Sequence, residues 1–281
     1  MSDTPETALS HELEAALAIA RKASALVMAV YETRFAVEMK GPNDPVTRAD
    51  REANELICTA LSAAFPGDAI LAEESLPETV EEIAAQVLRD RVWYVDPLDG
   101  TREFVDRNGE FSVMIGLAIR GRAKLGVVVL PTTGEALAGI VEGEAFREDA
   151  SGTRSPLAVS TVRDPRQATM MISRSHRPKI VDPVATELGI KKLIPCGSVG
   201  VKVAKIATRQ ADLYIHGGHG VKRWDVCAPE AVLAAAGGRF TDIEGDPIEY
   251  RTSDLALDNG LVATNGALHD VVLAVTSVYC G

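Results

Sequence analysis

The densest chemistry in this chain lies in six residues, Asp96-Pro97-Leu98-Asp99-Gly100-Thr101. Two carboxylates three positions apart across a Pro-containing turn can converge on one point, with the Leu98 carbonyl as a third oxygen between them. Hard oxygen donors of that type suit Mg²⁺. Gly100 lets the backbone approach closely, and the N–H groups after it would face a phosphate if a helix begins there. Asp, Pro and Gly are also turn formers in their own right, so the stretch alone reads equally well as a solvated turn.

Further acids could join it. Glu73-Glu74 follows a short apolar run, Ala69 to Ala72, and strand ends are where open sheets place ligands. Its plain alternative is an acidic surface patch. Asp50 and Asp225 each open a helical stretch. A carboxylate there is stabilised as the anion that a metal ligand must be, and it can equally be a cap. No single acid decides between these readings; their order along the chain does.

The elements that must position these residues follow from periodicity. Residues 9–39 carry apolar side chains at helical spacing (Leu9, Leu13, Leu17, Ala20, Val27, Tyr31, Phe35) until Lys40-Gly41-Pro42-Asn43-Asp44-Pro45 breaks the pattern. A second helix runs from Asp50 to a stop at Pro66-Gly67, and an acidic helix is expected at 77–89. Arg91 to Val95 reads as a strand running into the Asp96 turn, and Phe111 to Phe146 as an antiparallel meander. The polar segment Glu148 to Pro156 is the expected boundary between an α+β domain, 1–152, and an α/β domain, 153–281, that carries Asp225. In the second domain strands near 170–173, 192–196, 211–215, 239–243 and 261–264 alternate with helices, which predicts an α/β arrangement.

Composition bounds the function. With 29 Lys+Arg against 40 Asp+Glu, the net charge of −11 argues against a general binder of nucleic acid polymers. It also opposes any anionic substrate, unless something local and positive reverses the field; acids gathered as a cation trap would do so. The N-terminal MSDTPETALSHELE has neither the basic nor the apolar region of a secretory signal, and no uncharged run long enough to span a membrane occurs. A cytoplasmic protein is expected. Cys58, Cys196, Cys227 and Cys280 are scattered without a C-x-x-C pair, which predicts reduced thiols.

The ordered set Val46-Thr47-Arg48-Ala49-Asp50, Leu71-Ala72-Glu73-Glu74-Ser75, Trp93 to Thr101 and Trp224 to Leu233 resembles the inositol monophosphatase superfamily of Mg²⁺-dependent, lithium-sensitive phosphatases. Within it the chain is most similar to the 3′(2′),5′-bisphosphate nucleotidases of the bacterial CysQ type. Arg102-Glu103-Phe104, Ser173-Arg174-Ser175-His176 and Gly197-Ser198-Val199-Gly200-Val201-Lys202 carry that finer likeness.

The resemblance implies a layered αβαβα sandwich with its site between the halves. It implies removal of the 3′-phosphate from 3′-phosphoadenosine 5′-phosphate, giving AMP and phosphate, within sulfur assimilation. Two or three Mg²⁺ ions would serve, with inhibition by Li⁺ and Ca²⁺. Glu73, Asp96, the Leu98 carbonyl, Asp99 and Asp225 would bind metal, and Asp225 would also meet the departing ester oxygen. Asp50 and Thr101 would hold and deprotonate the attacking water, and the N–H groups of Gly100 and Thr101 would take the phosphate. His176, Ser198 and Lys202 would face the nucleotide; Arg102 and Arg223 are further candidate anion contacts, or partners of neighbouring acids. Oligomeric state stays open, a homodimer included.

Two alternatives remain: an inositol or sugar phosphatase of the same superfamily, acting for instance on fructose 1,6-bisphosphate, and a non-catalytic nucleotide-binding regulator. An aspartyl-phosphate mechanism of the Asp-x-Asp-Gly-Thr type is set aside, because Pro97 stands where its nucleophile would be.

Overall fold

The computed structural model describes residues 9–41, 44–174 and 178–279. His176 lies outside them. Helix α1 (Ser10–Tyr31) buries Leu13, Ala16, Leu17, Ala20, Ala23 and Val27 along one stripe. It ends earlier than the apolar spacing suggests. The Thr33 hydroxyl donates to the Val30 carbonyl, and Arg107 takes the free carbonyls of Tyr31 and Thr33, which satisfies the orphan acceptors of a helix end. Phe35, outside the helix, still packs on Phe104. The chain then forms a hairpin, β1 (Val37–Gly41) and β2 (Asp44–Thr47), that leads into α2 (Arg48–Ala64).

Strand β3 (Ala69–Ala72), a single 3₁₀ turn at Glu73–Ser75 and α3 (Val80–Val87) precede β4 (Arg91–Asp99) and the short α4 (Thr101–Val105). Strands β5 (Ser112–Ile119), β6 (Arg122–Leu130), β7 (Glu135–Ile140), β8 (Ala145–Glu148) and β9 (Arg154–Pro156) complete a seven-stranded sheet in the order β3-β4-β5-β6-β7-β8-β9. Only its β3–β4 pair is parallel. The last strand falls inside the polar stretch Glu148 to Pro156.

The second sheet has five strands in the order β11-β10-β12-β14-β13: β10 (Thr169–Ser173), β11 (Lys192–Cys196), β12 (Leu213–His216), β13 (Arg239–Asp242) and β14 (Leu261–Thr264). Helices α5 (Val181–Glu187), α6 (Val199–Ala207), α7 (Arg223–Ala235) and α8 (His269–Tyr279) connect and cover it.

Strand alternation sorts these elements into five layers. Trp93, Val95, Val113 and Ile115 face α1 and α2. Their neighbours Tyr94 and Met114 face the opposite way, into a core shared with α6, α7 and with Met171 and Tyr214 of the second sheet. Met170, Ile172, Leu213 and Ile215 then face α5 and α8. Period-2 side-chain direction is what lets each sheet be buried on both faces. The result is the expected αβαβα sandwich. Among the described residues, no helix is long and apolar enough to cross a membrane.

One packing detail sets the position of α7. Gly116, Gly126 and Gly139 are successive cross-strand partners on β5, β6 and β7. A Cβ on Gly126 would lie 2.2 Å from the Ala228 carbonyl oxygen, and one on Gly116 would lie 2.6 Å from the Ala228 nitrogen. This row of glycines is a groove into which the helix backbone sinks.

Candidate active site

Asp50 is the third residue of α2, whose N-cap is Thr47. Its Oδ2 accepts from the Thr47 N–H at 2.8 Å and the Thr47 hydroxyl at 2.7 Å, a capping box that fixes the carboxylate. Its Oδ1 accepts from the Thr101 hydroxyl at 2.8 Å. The carboxyl is only 1% exposed, and burial raises its pKa against the opposing pull of the Thr47 and Thr101 hydrogen bonds. The Thr101 hydroxyl also lies 3.1 Å from the Leu98 carbonyl, so one proton has two acceptors within reach.

Asp96 and Asp99 close β4 where its register with β5 shifts. Pro97 cannot donate to a ladder, and strand irregularities are where it is tolerated. The Asp96 Oδ1 accepts the Leu98 N–H at 3.0 Å, which curls the chain around the Leu98 carbonyl. Gly100 follows at φ +94°; a Cβ there would press on the Glu110 carbonyl at 3.0 Å and on Ser198.

Asp225 is the third residue of α7 and repeats the Asp50 device: its Oδ2 accepts the Lys222 N–H at 2.8 Å. Both acids are therefore caps as well as candidate ligands, set three residues inside the cap position. Asp225 also hydrogen-bonds the Asp96 carboxyl.

Glu73, Asp96, Asp99 and Asp225 form a crowd of acids, Asp96 and Asp99 buried and Glu73 and Asp225 half-buried. Burial, then Glu73, Asp99 and Asp225, push Asp96 well above the usual carboxylate range. Burial, then Glu73 and Asp99, do the same to Asp225. Burial takes Glu73 up to about 7, with Lys40 pulling it down. The Lys40 ammonium lies 2.8 Å from Glu73 and 2.7 Å from Glu74 and is the cation beside them. Carboxylates that are held together at that electrostatic cost, with a carbonyl beside them, are a donor set that fits a hard divalent cation. The tightest acidic trio among the described residues, Asp242, Glu244 and Asp246, is elsewhere, on the turn after β13. There Asp242 accepts the N–H groups of Glu244 and Asp246.

The C-terminal half reaches the site through Gly197 to Lys202. Glu110 accepts the Gly197 N–H at 2.7 Å, and the Asp99 Oδ2 accepts the Gly200 N–H at 2.7 Å. Ser198, at φ +50°, caps α6 and donates to the same Asp99 oxygen. Lys202 is 3% exposed. Its Nζ donates to the Gly197 carbonyl at 3.1 Å and the Cys196 carbonyl at 3.4 Å, and sits 4.9 Å from the centre of the Tyr214 ring. Among the described residues no carboxylate pairs with it. Burial lowers its pKa and Asp99 works in the opposite direction.

A cavity of ≈ 260 Å³ joins these groups, with Asp99, Thr101 and Asp225 on its lining together with Ser198, Lys202 and Tyr214. Gly100, Arg102 and His216 line it too; Glu73 and Asp96 do not. Arg223 departs from the sequence expectation. Its guanidinium donates to the backbone carbonyls of Glu249, Asp254 and Ala256, so it holds the loop beneath α7 rather than an anion or a neighbouring acid. Lys40, Ser112 and Tyr214 are not among the site residues expected from sequence, because each reaches the site by long-range contact and belongs to no local chemical motif.

A five-layered sandwich with acids and a buried lysine meeting in a cavity between its two halves defines the class, the phosphatase sandwich to which the motifs pointed. Comparison with known proteins bears this out: the family model described as the inositol monophosphatase family matches residues 8–278. The chain belongs to the inositol monophosphatase family. It is 36% identical to the 3′(2′),5′-bisphosphate nucleotidase CysQ of Escherichia coli strain K12 over 86% of this chain and 95% of the relative. It is 28% identical to 3′(2′),5′-bisphosphate nucleotidase 1 of Homo sapiens over 92% of both chains. Among solved structures, the Thermotoga maritima IMPase superposes with a TM-score of 0.80 at 25% identity, covering 96% of this chain and all of the other. CysQ from Bacteroides thetaiotaomicron superposes with a TM-score of 0.78 at 26% identity, covering 92% of this chain and 98% of the other.

Proposed function

We propose that the protein is a Mg²⁺-dependent 3′(2′),5′-bisphosphate nucleotidase that hydrolyses the 3′-phosphate of 3′-phosphoadenosine 5′-phosphate to AMP and phosphate, a reaction of sulfur assimilation. The observation that carries this reading is Lys202: a buried ammonium that no carboxylate of the described residues touches, with Asp99, Glu103 and Glu110 acting on it only from a distance, on the lining of the cavity that also holds Asp99, Thr101 and Asp225. A buried charge calls for a counter-charge. A substrate with a second phosphate supplies one, and an inositol monophosphate does not.

Glu73, Asp96, the Leu98 carbonyl, Asp99 and Asp225 would hold Mg²⁺. When bound, such ions polarise the phosphate, lower the pKa of a water and neutralise the departing oxygen. The chain's own residues do the rest. Thr101 and Asp50 orient the attacking water: the hydroxyl that now donates to the Asp50 Oδ1 can accept from the water while Asp50 takes the proton. The N–H groups of Gly100 and Thr101 hold the phosphate. As the water oxygen bonds to phosphorus, the P–O bond to the ribose breaks beside Asp225 and the ribose oxygen leaves to take a proton from solvent water, while Lys202 anchors the second phosphate so that the two oxygens stay in line.

Phosphate release from 3′-phosphoadenosine 5′-phosphate, inositol 1-phosphate and fructose 1,6-bisphosphate, each with Mg²⁺, tests the reading. The nucleotide is expected to have the highest kcat/KM. A higher value for either of the others overturns it.

A further inference from the structure

We propose that Ser198 is a positioning residue for Asp99, acting with Ser112, and that it does not contact substrate; this rests on the reading of Asp99 as a metal ligand. A serine hydroxyl has one proton to donate and two lone pairs to accept with. In this fold Ser198 uses all of them. Its proton goes to the Asp99 Oδ2, one lone pair accepts the Val201 N–H at 3.0 Å, and the Ser112 hydroxyl lies 3.0 Å away for the other. Nothing is left over for a nucleotide, although Ser198 touches the cavity.

The receiving oxygen is correspondingly crowded. The Asp99 Oδ2 lies within reach of Ser198, the Gly200 N–H at 2.7 Å and the Ser112 hydroxyl at 3.2 Å. Ser112 is fully buried, Ser198 is 7% exposed and Asp99 9%. Two donors on this oxygen, the Ser198 hydroxyl and the Gly200 N–H, with the Ser112 hydroxyl close behind and donating to Ser198, fix the plane of the carboxylate, and among the described residues Oδ1 is left to bind a cation. They also come from both halves of the molecule: Ser112 from β5, Ser198 and Gly200 from the start of α6. Outer partners of this kind set the orientation and basicity of a ligating carboxylate.

The test is a calorimetric titration of the nucleotide-free protein with Mg²⁺, alongside steady-state kinetics. Ser198→Ala should weaken Mg²⁺ binding by roughly 10- to 100-fold. Its turnover should fall at limiting Mg²⁺ and recover at excess Mg²⁺, with the KM for 3′-phosphoadenosine 5′-phosphate unchanged. Ser198 also caps α6, so Ser112→Ala, which caps nothing, is the second variant, and it should shift Mg²⁺ affinity in the same direction. Unaltered Mg²⁺ affinity in both variants, or a raised KM at saturating Mg²⁺ in Ser198→Ala, overturns the proposal. Because the titration needs no substrate, it still decides the role of Ser198 if the wild-type protein prefers inositol 1-phosphate and the nucleotidase reading fails. A wild-type protein that binds no Mg²⁺ sinks both.

Discussion

Gly126→Ala is the sharpest perturbation of the seam between the two halves. The added methyl would lie 2.2 Å from the Ala228 carbonyl oxygen and 2.9 Å from the Ala228 Cα, where ordinary contact begins at 3.4 Å. The obstruction is backbone on both sides, so no side chain can swing away. Strand β6 is pinned between β5 and β7, which leaves α7 to move by about 1.2 Å. Overpacking of this kind costs about 1–3 kcal/mol of stability. The movement is transmitted to Asp225, one helical turn before Ala228 on the same helix. A displacement near 1 Å at a reacting centre costs roughly 100-fold in rate. Urea unfolding followed by circular dichroism should show a lower midpoint at unchanged m, and phosphate release a fall in kcat of about that size. Gly67→Ala is the control, since nothing lies within 4 Å of its added Cβ. A Gly126→Ala protein with wild-type midpoint and turnover would refute the seating of α7 in the glycine row. Lost stability with full turnover would refute the link from that row to Asp225.

Two further expectations follow from charge. Asp99→Asn removes a carboxylate charge from the acidic crowd and should abolish phosphate release and Mg²⁺ binding together; full activity would place the cation site elsewhere. Glu230, half-buried on α7 with the Tyr250 hydroxyl donating to it, has its pKa raised by burial to about 8 from 4.5. The folded protein thus holds a proton that the unfolded chain has lost, and stability declines as pH rises from about 4.5 to about 8, then levels off. Glu230→Gln should flatten that slope and stabilise the protein at pH 7 by on the order of 3 kcal/mol, while near pH 4 the two proteins should match. Parallel wild-type and variant curves of urea midpoint against pH would refute it.

How far the sequence speaks depends on whether the signal is local. The buried stripe of α2 and the alternating strands β10 to β14 are read from neighbours a few residues apart, and so is the Asp96 to Thr101 turn. The early end of α1 is not, because it depends on Arg107 reaching back to Tyr31 and Thr33. Asp50 and Asp225 were legible as helix-opening acids, but their place inside the cap required the actual N-caps, Thr47 and Lys222. Arg223 misleads for the same reason: beside Asp225 in sequence, it points into the 249–256 loop once α7 has formed. The glycine row becomes visible only when strand register makes Gly116, Gly126 and Gly139 neighbours.

The split origin of the Asp99 cradle bears on how the chain matures. Glu73, Asp96 and Asp99 lie on or beside the first sheet, yet Ser198, Gly200, Lys202 and Asp225 are synthesised later. A nascent chain ending before residue 225 lacks Asp225, which the proposed site requires. On the proposed roles of Asp99 and Asp225, phosphate release needs groups from both halves of the chain, so turnover reports on the folding of the second half as well as on the chemistry.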